Sequence, residues 1–112
     1  MARNQSKKEE TNKEFKEFDI TAAHQNTFEG RLYLEPHSTE KGRWHRVSLT
    51  VNGISIRGVT LWVPNDDDKD ITFLFPSYTT KDGKSESYIV FFNKEGRDDM
   101  LETAAKLDSM LV

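Results

Sequence analysis

Residues 43–63 of the chain read RWHRVSLTVNGISIRGVTLWV. Apolar residues alternate with polar ones on both sides of Asn52-Gly53, which is the pattern of a half-buried strand. Asn-Gly is typical of a two-residue type I′ turn, because both central residues of that turn need a positive φ. The stretch therefore predicts a β-hairpin of strands 43–51 and 54–63 whose register is fixed by the turn.

The alternation in the second strand shifts by one residue at Gly58, which predicts a β-bulge at that position. With one extra residue allowed there, Arg46 faces Thr60 and Trp44 faces Trp62. The predicted core face consists of Val47, Leu49, Val51, Ile54, Ile56, Val59 and Leu61. The opposite face consists of Trp44, Arg46, Ser48, Thr50, Ser55, Arg57, Thr60 and Trp62. Both tryptophans of the chain thus lie side by side on the non-core face.

The rest of the chain predicts a single, mainly β domain. Residues 1–14 are charged and poor in apolar residues, so we expect a disordered arm, with the domain spanning 15–112. Further strands are predicted at 28–35, 71–75 and 88–92, and the segment 78–87 contains a flexible hairpin tip at 81–84. Asn93 is placed to cap a C-terminal helix whose apolar stripe is Met100, Leu101, Ala104, Leu107 and Leu111.

Composition narrows the class of protein. The 112 residues include no cysteine, which excludes disulfides, thiolate metal sites and thiol nucleophiles. The polar N-terminus lacks the apolar stretch of a signal peptide, and no segment has the roughly 18 apolar residues of a membrane span. We therefore expect a cytoplasmic protein without a membrane partner. The net charge is −3, yet residues 41–63 contain four cationic residues and no Asp or Glu. A local potential of this kind steers a charged ligand.

The non-core face of the hairpin combines side chains that suit a single-stranded nucleic acid. Aromatic rings such as Trp44 and Trp62 stack on unpaired bases, and arginines such as Arg46 and Arg57 pair with phosphates. Tyr33, Arg31 and Arg43 are candidates to extend this face, and Lys81 and Lys84 to contact the ligand from the hairpin tip. The alternative is that the tryptophans form a second small core, covered by the C-terminal helix or by another subunit.

No catalytic, metal or cofactor site is predicted. His24, His37 and His45 lack the spacing of metal ligands. The sequence Gly83-Lys84-Ser85 lacks the first glycine of a phosphate-binding loop and is followed by a strand pattern. Asp66-Asp67-Asp68 lacks the alternating ligands of a calcium loop. The chain is therefore interpreted as a binding module rather than an enzyme.

Over residues 15–112 the chain resembles small bacteriophage-type single-stranded DNA-binding proteins. The resemblance lies in the charged arm, the sequence Phe28-Glu29-Gly30-Arg31-Leu32-Tyr33-Leu34, the Trp44–Trp62 hairpin and the basic loop before Tyr88. It implies an OB-like, five-stranded antiparallel barrel or sheet with a C-terminal helix. It also implies binding of single-stranded DNA without strong sequence preference, in phage or plasmid DNA replication or recombination inside a bacterial host.

Residues 45–111 also resemble the sporulation and septation regulator family SpoVG. This second resemblance lies in Val47–Val51, Phe75-Pro76-Ser77, Asp82-Gly83-Lys84 and the final helix. It implies a dimeric DNA- or RNA-binding regulator, so a homodimer or a higher homo-oligomer is expected. A third hypothesis is a small adaptor or inhibitor that binds a protein through the tryptophan pair.

Overall fold

The computed structural model describes residues 14–87 and 93–111. The predicted strand at 88–92 and the predicted arm, except for Glu14, lie outside the described residues. The elements are β1 (Phe15–Thr21), β2 (Thr27–Tyr33), β3 (His37–Ser38), β4 (Gly42–Val51), β5 (Ile54–Pro64), β6 (Thr72–Leu74), β7 (Ser77–Thr79), β8 (Ser85–Ser87) and the helix α1 (Lys94–Met110).

Most of the described strands form one antiparallel sheet in the order β1-β2-β4-β5-β6, and β3 pairs with the start of β4. Strands β7 and β8 form a separate hairpin. The prediction of a mainly β fold with an antiparallel sheet and a C-terminal helix is confirmed. The finer expectation of a five-stranded barrel is not shown. The described main sheet has six strands, and its ends, β1 and β6, do not pair with each other.

The predicted hairpin register is confirmed. Asn52 and Gly53 have φ angles of 50° and 84°, as a type I′ turn requires. Trp44 pairs with Trp62 and Arg46 with Thr60, and the register shifts between Val47 and Leu49. Gly58 lies opposite this shift with a φ of 76°, which places the extra residue of the bulge where the sequence predicted it.

Helix α1 packs on one face of the main sheet. The hydrophobic core contains Phe18, Ala22, Phe28, Leu32, Val47, Leu49, Val51, Val59, Leu61, Phe73, Met100, Ala104 and Leu107. The expectation that Ile54 belongs to this core is wrong, since its side chain is 69% exposed. Ile54 follows the turn directly, so it lies at the hairpin tip, and Ile56 is partly buried.

Two side chains near the start of α1 fix its position. Asn93 caps the helix as predicted, accepting a hydrogen bond from the Gly96 amide at 2.9 Å. Asp99 is fully buried and accepts from the backbone amides of His24 and Asn26 and from the Asn26 side chain. This carboxylate therefore ties the helix to the turn between β1 and β2. Across the described ranges, no helix combines the length and apolar character needed to cross a membrane.

Candidate functional site

The face of the main sheet opposite α1 carries the candidate site, and we call it the outer face. Strand pairing continues it from the hairpin onto its neighbours, because Arg31 pairs with Ser48, and Phe15 pairs with Tyr33. Alternation then assigns to it Phe15, Arg31, Tyr33, Trp44, Arg46, Ser48, Thr50, Ser55, Arg57, Thr60 and Trp62, together with the carboxylates Glu17, Asp19 and Glu29. The structure thus brings together the two tryptophans, Tyr33 and three of the four predicted arginines.

The tryptophan pair lies where β3, β4 and β5 meet, and both side chains are half-buried. The ring of His37 stacks on Trp44 with a centroid distance of 4.1 Å and an interplanar angle of 13°. Pairing of His37 with Trp44 across β3 and β4 makes this stack possible. His37 therefore extends the aromatic surface and holds the Trp44 ring in one orientation.

An open cleft of about 380 Å³ adjoins Trp62 and is lined by Lys41, Trp62, Pro64, Asn65, Asp66 and Lys69. Asn65 fixes its walls: the Asn65 backbone amide donates to the Lys41 carbonyl at 2.8 Å, and its side chain donates to the Glu40 carbonyl at 3.0 Å. One of the lining residues, Asp66, begins the exposed Asp66-Asp67-Asp68 turn. The cleft thus joins an aromatic wall to a rim of mixed charge.

The arginines of the outer face are exposed. Within 14–87 and 93–111, the ion pairs are Arg43–Asp108 and Lys106–Glu102, so none involves Arg31, Arg46 or Arg57. The guanidinium of Arg31 instead lies over the Phe15 ring, 4.6 Å from its centroid. No ion pair with another described residue therefore has to be broken before these cations meet an anionic ligand.

Arg43 does not extend the outer face, which corrects the prediction for this residue. It shares its alternation with His45 and Val47, whose side chains are buried on the helix-covered face. Its guanidinium donates to Asp108 at 2.6 Å, and this ion pair joins the start of β4 to the end of α1. Arg43 therefore stabilises the packing of the helix.

His45 lies buried beneath this ion pair. Its Nδ1 is 3.0 Å from the Tyr33 carbonyl and its Nε2 is 3.1 Å from the Arg43 guanidinium. Because a carbonyl only accepts and a guanidinium only donates, the ring is neutral with its proton on Nδ1. Burial lowers the pKa of His45 below its usual value, and the Arg43 charge acts in the same direction. The geometry therefore indicates a structural role for His45.

Lys81 and Lys84 lie in the turn of the β7–β8 hairpin, where both side chains are exposed. Thr80 closes this turn: its amide donates to the Lys84 carbonyl at 2.7 Å, and its carbonyl accepts from Gly83. Since the hairpin forms its own two-stranded sheet, strand pairing does not bring these lysines onto the outer face. A strand follows Lys84, as the sequence predicted, whereas a phosphate-binding loop is followed by a helix.

Sequence reasoning missed Phe15 and His37 as members of this surface. Phe15 lies on the same face as Glu17 and Asp19, whereas Phe18 and Ile20 face the core. The apolar residues of this segment therefore fall on both faces and do not follow a period of two. His37 lies in a two-residue strand after Pro36, a segment with no strand pattern of its own. Two aromatic rings of opposite alternation in one segment, such as Phe15 and Phe18, are the signal that could have identified Phe15.

Comparisons with protein-family models, curated proteins and solved structures found no match for this chain.

Proposed function

We propose that this protein binds single-stranded DNA through the outer face. The observation that carries the proposal is the pairing of Trp44 with Trp62 on the face opposite the helix, beside the exposed Arg46 and Arg57. Aromatic rings contribute about 1–3 kcal/mol per stacked base and need no particular sequence. Duplex DNA keeps its bases stacked inside the helix, so this surface suits a single strand.

The surroundings of the tryptophans support their use as stacking platforms. The His37 ring holds Trp44 in a fixed orientation, and surrounding residues of the same chain leave Trp62 half-buried. A ring already fixed in the free protein loses little conformational entropy when a ligand binds to it. The half-burial is therefore compatible with a preformed binding surface.

The charges of this surface favour a ligand that carries phosphates. Arg31, Arg46 and Arg57 lie on the outer face and make no ion pair within the described part of the chain. Arginine binds phosphate through paired N–H groups and also stacks on flat rings. The net charge of −3 disfavours indiscriminate attraction to nucleic acids, so binding depends on this local arrangement.

The experiment is a titration of the protein with oligo-dT, a duplex of the same length and a single-stranded RNA, followed by tryptophan fluorescence and anisotropy. We expect tighter binding to single-stranded DNA than to duplex. Trp44→Ala and Trp62→Ala should each weaken binding by about 1–3 kcal/mol. Their loss of unfolding free energy should stay below the roughly 3–5 kcal/mol typical of a fully buried aromatic residue.

Ile54→Ala is the matched control, because Ile54 is 69% exposed and lies at the hairpin tip, away from the tryptophans. It should leave oligo-dT affinity unchanged. Equal or better affinity for duplex would favour a duplex-binding regulator. Absence of binding to every probe would leave the outer face, with its neighbouring exposed Leu74, as a protein-binding surface.

A further inference from the structure

We infer that the bound strand crosses the main sheet obliquely, along a belt of four aromatic residues, and that the end of this belt forms a second base-binding subsite. The belt consists of Trp62, Trp44, Tyr33 and Phe15, which lie on β5, β4, β2 and β1. The second subsite consists of Phe15, Tyr33 and Arg31. This inference rests on the proposed function and adds to it a path and a footprint.

The second subsite is already assembled. Phe15 pairs with Tyr33 across β1 and β2, and their ring centroids are 5.8 Å apart at an interplanar angle of 59°. Phe15 is 37% exposed, so part of its side chain is accessible to a ligand. Arg31 covers the Phe15 ring with its guanidinium 4.6 Å from the centroid. A flat cation resting on an aromatic ring presents a stacking surface to an incoming base.

The position of Arg31 argues for a ligand rather than for an internal ion pair. Glu17 is its direct partner in the strand pairing, and oppositely charged residues in that position attract each other. Even so, no ion pair joins them within the described residues, where the pairs are Arg43–Asp108 and Lys106–Glu102. The guanidinium rests on Phe15 and keeps its N–H groups available for a phosphate.

Strand geometry gives the length of the belt. Leu32 pairs with Val47, so the same register sets Tyr33 beside Arg46, two residues along β4 from Trp44. The belt runs across three strand spacings of about 4.8 Å and along two residues of about 3.3 Å each. The diagonal of these two perpendicular distances is about 16 Å. At the stacked spacing of about 3.4 Å per nucleotide, the belt accommodates about five nucleotides.

The electrostatic surroundings fit a path along the belt. Arg31 and Arg46 flank it at its middle, where phosphates would pass. Asp19 pairs with Glu29 on β1 and β2, and both are exposed at the corner away from the tryptophans. At the Trp62 end, Asp66 lines the cleft beside Trp62 and begins an acidic turn. These carboxylates repel a phosphate chain and lie towards the two ends of the belt. Glu17 also lies on the outer face, directly opposite Arg31, so the Arg31 charge offsets it beside the belt.

The test compares oligo-dT of three and eight nucleotides with the wild-type protein, Phe15→Leu, Arg31→Gln and Trp44→Ala. Leucine preserves an apolar contact with Tyr33 but removes the ring. Phe15→Leu and Arg31→Gln should each weaken binding of the 8-mer about 5-fold or more and leave the 3-mer unchanged, since the 3-mer occupies the tryptophans. Trp44→Ala should weaken both. Glu17→Gln is the matched control on the same strand and should not weaken either.

Two results would overturn the inference while leaving the proposed function in place: wild-type affinity of Phe15→Leu for the 8-mer, or equal losses for the 3-mer and the 8-mer. A wild-type protein that binds no oligonucleotide of any length would instead remove the proposed function and the inference with it. Thermal unfolding of each variant separates a lost contact from a lost fold, and Arg31→Gln tests the subsite while leaving the paired rings of Phe15 and Tyr33 in place.

Discussion

The two faces of the main sheet differ in how their polar side chains are bonded. On the helix-covered side of the sheet, the buried polar residues His45 of β4 and Asp99 and Thr103 of α1 all make hydrogen bonds, and no buried side-chain nitrogen or oxygen in the described residues lacks a partner. On the outer face, Arg46 and Arg57 are exposed and outside the ion pairs of the described chain. One face is thus complete within the fold, whereas the other retains bonding capacity for a ligand.

The sharpest test of this comparison uses adjacent residues that face opposite ways. Leu61 is fully buried against the core, and Trp62 lies on the outer face. Leu61→Ala should lower the free energy of unfolding by about 2–5 kcal/mol, through lost burial and the cavity left behind. Chemical denaturation measures this loss, and Leu61→Met serves as a control that should cost less than about 1.5 kcal/mol. Equal stability losses for Leu61→Ala and Trp62→Ala would contradict the division into two faces.

A second prediction concerns the carboxylate that joins the helix to the β1–β2 turn. Burial alone would raise the pKa of Asp99, but hydrogen bonds from His24 and Asn26 hold that pKa below its usual value. Asp99→Asn replaces one carboxylate oxygen by an NH2 group, which is itself a donor and cannot accept from the N–H groups of His24 and Asn26. It should cost about 2–3 kcal/mol of unfolding free energy at pH 7, the scale of a hydrogen bond to a charged group.

The pH dependence of Asp99 follows from the direction of this shift. A depressed pKa stabilises the fold fully above the ordinary value near 3.8, and the stabilisation is lost as the pH falls below it. The difference between wild type and Asp99→Asn should therefore shrink on acidification below about pH 4. Asp98→Asn is the matched control, because Asp98 is exposed and its loss should cost less than about 0.5 kcal/mol. A difference that persists unchanged at low pH would mean that the Asp99 charge contributes nothing.

Local signals in the sequence predicted the hairpin and the helix, whereas contacts between residues distant in sequence could not be predicted from it. Asn52-Gly53 determines its own turn and so the register of Trp44 with Trp62. Alternation with Trp44 already places Arg43 on the helix-covered face, so its assignment to the outer face was wrong at the local level; its ion pair with Asp108, 65 residues away in sequence, depends on where the helix packs. Asp99 reads as an ordinary acidic residue of the first helical turns, and nothing local indicates that it faces the β1–β2 turn. Whether the sheet closes into a barrel likewise depends on pairing between strands that are distant in sequence, so the expectation of a barrel had no local signal behind it.

A third prediction tests whether the bulge sets the outer face. Gly58 has a positive φ of 76°, and a Cβ added there would lie 3.2 Å from the Pro76 ring. Gly58→Val forces a β-branched residue into a left-handed conformation and should cost about 1–3 kcal/mol of unfolding free energy. Gly58→Asn should be tolerated better, because asparagine adopts positive φ more readily. Thermal unfolding measures both, and full stability of Gly58→Val would contradict the role of the bulge.

The smallest expected effect concerns salt. The logarithm of affinity for a single strand should fall with the logarithm of salt concentration by about 0.7 per phosphate contact. Arg46→Gln and Arg57→Gln should therefore each flatten this slope by about 0.7, without unfolding the protein. Arg43→Gln removes an equal charge from the helix-covered face, where that charge pairs with Asp108. It should lower stability and leave the slope unchanged. If all three variants flatten the slope equally, net charge rather than the outer face governs binding. If none does, the arginines of the outer face do not contact phosphates.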